Sequence, residues 1–208
     1  MLVHCRKEEW RRTFLSRARC VGAVEEGDQR QADPFSQFLT QNEPAFCALG
    51  TLCMILNTLG VDPQRQWKSG APWRWYEQEM LDCCRPLTAV ATSGLTLAEF
   101  GCLARCNGLQ ASILSPPLEG GEEALREAKE VFRREVRESA QGKEGVMAIS
   151  YSRRSLGQTG DGHFSPVAGY NEKEDMVSWS GLMGFGAREL MLSLYSCSFW
   201  MSRGSRRV

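Results

Sequence analysis

The run Gln41-Asn42-Glu43-Pro44-Ala45-Phe46-Cys47 sets a thiol directly before a helix-forming segment and a glutamine six residues ahead of it. A side chain at a helix start faces unpaired backbone N–H groups and the positive end of the peptide dipoles, which favours negative charge on sulfur. The Gln41 carboxamide is placed to donate to an oxyanion growing on the carbonyl that such a sulfur attacks. Attack by a thiol also needs a base. The chain has two histidines, and His163 is the one that opens an apolar segment behind a glycine-rich approach, Gly157 to Gly162. A lone histidine is more often a hydrogen-bonded structural residue. Joined to Gln-x5-Cys at a helix start, His163 reads as the base of a cysteine acyl-transfer site.

Positioning these groups falls to a helical part followed by a stranded part. Leu49, Leu52, Cys53, Leu56 and Leu59 recur at helical spacing from Ala48 to Leu59, Gly60 closes the helix and Asp62-Pro63 blocks its continuation. Thr96 with Glu99 predicts a capping box for a second helix that stops at Asn107-Gly108. A third, about Glu122 to Glu138, shows Leu125, Ala128, Phe132 and Val136 on one face. Val146 to Tyr151 and His163 to Tyr170 then read as buried strands. Helices first and strands second predict an α+β fold. Trp67, Trp73 and Trp75 read as a wall of the cleft.

Composition narrows the function. The 208 residues, 42% hydrophobic, suffice for one core, and 25 basic against 25 acidic residues leave no net charge and no nucleic-acid signature. No apolar run reaches membrane-spanning length. Nine cysteines, with Cys83 and Cys84 adjacent, do not read as a disulfide scaffold, so a reducing, cytoplasmic setting is expected. Cys102 and Cys106, four apart on one helix face, read as small apolar core residues.

The segments Gln41 to Cys47, Pro72-Trp73-Arg74-Trp75, Met80-Leu81-Asp82-Cys83-Cys84, Gln158 to Pro166 and Gly169-Tyr170-Asn171 resemble phytochelatin synthase, in order and with few gaps. The resemblance implies a papain-like cysteine peptidase fold, with a helical half carrying Cys47 and an antiparallel sheet carrying His163. It implies a γ-glutamylcysteine dipeptidyl transfer through a Cys47 thioester, with glutathione as donor, glutathione or phytochelatin oligomers as acceptors, and heavy-metal detoxification as the outcome. Gln41 would serve the oxyanion and Arg153 a substrate carboxylate. A heavy-metal ion, Cd²⁺ or Zn²⁺, would act as activator in the form of a glutathione thiolate, with Cys83 and Cys84 as further soft-metal contacts and no organic cofactor. Neither nucleic acid nor membrane is implied; a homodimer is compatible with it. A hydrolase releasing glycine from glutathione or its conjugates, and an inactive thiol- or metal-binding relative, are the alternatives.

The resemblance divides the chain into an N-terminal extension, 1–32, a catalytic domain, 33–177, and a divergent tail, 178–208. A papain-like site needs a third group to orient the imidazole. The family's aspartate is expected near Gly181, within an Asp-Val-Ala-Arg-like stretch, and Ser178-Trp179-Ser180-Gly181 stands there instead. A shift of reading frame near Val177, a variant using another residue such as Asp175, and a degenerate relative all fit that break.

Overall fold

The helix that opens at Cys47, α1 (Cys47–Thr58), is buried from Ala48 to Asn57. Its hydrophobic residues lie on all sides, so it is a core helix enclosed by the rest of the molecule rather than an amphipathic one. The computed structural model describes residues 39–66, 74–115, 121–141, 145–154, 158–173, 175–179, 185–186 and 197–203. The extension 1–32, Trp67, Trp73 and Gly181 lie outside them; Trp75 is exposed.

Past α1, a single 3-10 turn at Gln78–Met80 leads to α2 (Leu87–Ser93) and α3 (Leu97–Cys106). Both halves of the capping box form at α3: the Glu99 N–H donates to Thr96 Oγ1, and the Thr96 N–H donates to Glu99 Oε2 at 2.7 Å. β1 (Leu109–Leu114) follows, then α4 (Gly121–Ala140), β2 (Val146–Ser152), β3 (Gly162–Asn171), β4 (Met176–Trp179), β5 (Phe185–Gly186) and β6 (Cys197–Arg203). They form one antiparallel sheet in the order β1-β6-β2-β3-β4-β5. The fold is therefore α+β, as the order of the sequence patterns predicts.

Both faces of the sheet are covered, which explains why β2 reads as an unbroken apolar run. Val146 and Ala148 join α1, α3 and Phe164 in one core, while Met147, Ile149 and Tyr151 join Phe132 and Val136 of α4 in another. Phe100 of α3 stacks on Phe164 of β3 with ring centroids 4.7 Å apart, fastening the helical part to the sheet.

Of the strands that the sequence patterns do not predict, β6 has the largest part in the sheet. Residues 197–203, within the tail that carries no recognised motif, fill the gap between β1 and β2: Met201 pairs with Ala111 on one side and Val146 on the other.

Candidate active site

Cys47 is the first residue of α1, half-buried, and itself packs against the core that includes its neighbour Phe46. No side chain caps the helix and no acid stands in its first turn, so the positive helix end is available to the sulfur. By contrast, burial pushes the Cys53 thiol, two turns further on, well above the ordinary thiol range and leaves it inert.

The approach to α1 is held by two glutamines. Gln41 Nε2 donates to the carbonyls of Glu43 (2.9 Å) and Pro44 (2.8 Å), folding the loop onto the helix start. Its Cβ lies near Gly50, where an added Cβ would stand 3.9 Å away. Both carboxamide donors thus serve the loop in this state. Gln78, fully buried, accepts from the Asn42 N–H at 3.0 Å and donates to the Thr40 carbonyl at 3.0 Å. A buried carboxamide must find such partners, and here they clamp both neighbours of Gln41. The sequence held no signal for this residue, since its partners lie far along the chain.

His163 sits at the start of β3, opposite Tyr151 of β2, whose ring meets the imidazole edge-on at 5.7 Å. Its neighbour Phe164 joins the core that Cys47 packs against, and α1 lies against β3. The two elements are thus brought together; among the described residues, no hydrogen bond joins Cys47 to His163. The partner of the imidazole is Arg153, whose Nη2 is 3.0 Å from Nδ1. A guanidinium only donates, so Nδ1 accepts and the neutral ring carries its proton on Nε2. Burial first, and the Arg153 charge second, bring His163 down to about 4.

The backbone of Arg153 is held at the turn between β2 and β3. Its backbone N–H donates to the Asp161 carbonyl, and Gly160, at φ +96°, lies against its side chain: a Cβ there would stand 3.6 Å from Cδ. Asp175 does not take the orienting role. Its carboxylate binds Arg133 (2.8 Å) and the Tyr170 hydroxyl (2.6 Å), and the Arg133 bonds hold its pKa below the usual value.

The cysteine reading changes most. Cys102 and Cys106 are exposed rather than core residues, and the Cys84 sulfur lies 3.3 Å from each, with Cys83 Sγ a further 3.8 Å from Cys84 Sγ. The fold gathers four thiols from two segments. Cys83, Cys84 and Cys106 lie within 4.8 Å of one another, a spacing that could hold a metal ion. A tetrahedral thiolate site with bonds of ~2.3 Å separates its sulfurs by roughly 3.8 Å, so the donor set fits a soft ion. Hydrogen bonding from Cys84 lowers the Cys106 thiol, whereas crowding away from water raises Cys83 and Cys84.

Comparison with known proteins places the chain by sequence. The family model described as Phytochelatin synthase matches residues 19–178. The "Glutathione gamma-glutamylcysteinyltransferase" of Schizosaccharomyces pombe is 48% identical over 159 residues, covering 74% of this chain and 35% of its own. "Glutathione gamma-glutamylcysteinyltransferase 3" of Lotus japonicus is 42% identical over 145 residues, covering 68% and 28%. The chain thus spans about a third of the length of the curated relatives it matches. Among solved structures, a double glycine motif protease from an AMS/PCAT transporter, in complex with its leader peptide, aligns over 80% of this chain and 90% of its own, at 14% identity and a TM-score of 0.49.

Proposed function

The chain belongs to the phytochelatin synthase family, and on that premise we propose that it transfers γ-glutamylcysteine from glutathione to a second glutathione or to a growing phytochelatin. The observation that carries this reading is a thiol on the first residue of an uncapped helix that packs against the strand bearing the histidine.

His163 takes the Cys47 proton, and the thiolate attacks the carbonyl carbon of the Cys–Gly bond. First-turn N–H groups of α1 hold the oxyanion, joined by Gln41 once its carboxamide leaves the loop carbonyls. The C–N bond breaks, His163 returns the proton to the departing glycine amine, and the γ-glutamylcysteinyl group remains on Cys47 as a thioester. The α-amino group of the acceptor then attacks that thioester. His163 removes its proton, the C–S bond breaks and the Cys47 thiol is restored. Arg153 offers its guanidinium to a substrate carboxylate.

Soft metal enters in two places. Cd²⁺ held between glutathione thiolates is a substrate form suited to an enzyme that extends thiol peptides. Cys83, Cys84 and Cys106 are the residues that would hold a Cd²⁺ or Zn²⁺ ion on the protein, with Cys102 beside Cys84, and the ion would tie the segment before α2 to α3. Free thiols at this spacing, with no disulfide among the described cysteines, support a reducing, cytoplasmic setting. No helix among the described residues is long and apolar enough to cross a membrane.

The test is to incubate the full chain with glutathione and Cd²⁺ and look by mass spectrometry for (γ-Glu-Cys)₂-Gly and free glycine. Both should appear, and both should vanish in C47S. Glycine without the oligomer would make the protein a hydrolase. Neither product, with Cd²⁺ bound, would make it a thiol module.

A further inference from the structure

Among the described residues, the guanidinium of Arg153 has donors to spare and no anion to receive them. Its Nε is buried without a hydrogen-bond partner. The acid nearest in sequence, Asp161, pairs with Arg154 at 2.9 Å instead, and no ion pair to Arg153 occurs among the described residues. Among the described residues, the side-chain group to which Arg153 hydrogen-bonds is the base itself, at His163 Nδ1. As held, the imidazole has no lone pair to offer: one nitrogen accepts from Arg153 and the other bears the proton. This arrangement suits storage of the base rather than its use.

We infer that Arg153 is a substrate-responsive latch on His163: without substrate it occupies the Nδ1 lone pair, and the terminal carboxylate of the donor peptide draws it away, freeing the ring to accept the Cys47 proton. The inference rests on the transfer reading above and adds how the site recognises its donor. His163 must reach the scissile nitrogen to protonate the leaving glycine, and the glycine carboxylate lies one carbon beyond that nitrogen. It therefore enters the space around the guanidinium. A carboxylate offers Arg153 two charge-assisted bonds in place of one to a neutral ring, and it satisfies Nε as well. Departure of glycine removes the carboxylate and lets the latch close over the thioester until an acceptor arrives. Arg153 thereby couples the donor's terminal carboxylate, which it binds, to the state of the base.

The test uses the full chain carrying C47S, so that substrate stays intact, and H4A, so that His163 is the single histidine. Its ring nitrogens are followed by ¹⁵N NMR while glutathione binding is measured by calorimetry. Without ligand, the ring should be neutral with its proton on Nε2. Glutathione should raise its titration midpoint by at least one pH unit, whereas glutathione amidated at its glycine should bind and leave it in place. In R153M the midpoint should already lie above that of the ligand-free parent, with burial still holding it below the ordinary value, and glutathione should add nothing, with R153K restoring part of the response. Glutathione that binds without moving the midpoint, or an amide that moves it equally, overturns the latch and leaves the transfer reading standing. If glutathione does not bind at all, the transfer reading fails, and hippurate, a plain acylated glycine, decides the latch: a raised midpoint keeps it and an unmoved one overturns it.

Discussion

At the scale of single residues, His163 is under two opposed demands, since a base must take up a proton and burial beside a cation resists one. Unfolded, its imidazole titrates near ~6.5; folded, it does so only at about 4. The unfolded chain therefore binds the extra proton across that window, and stability should fall as pH drops from about 6.5 to 4, by up to ~1.4 kcal/mol per pH unit. Chemical denaturation across that range should show this slope, and H163Q should flatten it; an unchanged slope would exclude His163 as its source. Cys47 and His163 were legible because each sits in a local signature. The Arg153–His163 contact was not, because a turn folds the two strands back on each other. Cys102 and Cys106 were misread for a similar reason: on α3 alone they are two small residues on one helix face, and only the fold brings Cys84 between them. C102S combined with C106S should weaken Cd²⁺ binding to the C47S protein at least tenfold by competition with a chromophoric chelator, and unchanged affinity would remove the cluster as a site.

At the scale of elements, local chemistry was a good guide where it was self-contained. The Thr96–Glu99 box formed where the sequence placed it, because its partners are three residues apart. Thr96→Ala should lower stability by about 1 kcal/mol in urea melts, and no loss would show that tertiary packing alone defines the start of α3. β1 escaped notice because its burial does not alternate, and α2 because seven residues carry too little periodicity. The loop before α1 depends on a distant clamp. Gln78→Met keeps the volume but abandons the Asn42 and Thr40 backbone groups, so amide exchange at 40–42 should quicken at least tenfold, with a stability loss of about 1–3 kcal/mol. Unaltered exchange would mean the loop is held by Gln41 alone.

At the scale of the whole molecule, the sheet depends on a segment without any recognised motif. The fold class could be argued from the order of helices and strands; the strand between β1 and β2 could not, because its partners are fixed by pairing across many residues rather than by pattern. A chain ending at Gly186 keeps the family-matched span and β4 and β5 yet leaves facing edges of β1 and β2 unpaired, so its thermal midpoint should drop by at least 10 °C, with loss of soluble protein. An equal midpoint would show β6 to be dispensable. The same arrangement sets a timetable. β1 and β2 leave the ribosome well before their shared neighbour, and at roughly 5–20 residues per second the gap between them stays open for several seconds. For that interval β1 and β2 each wait with an unpaired edge, and the sheet closes only when the last strand of the chain arrives.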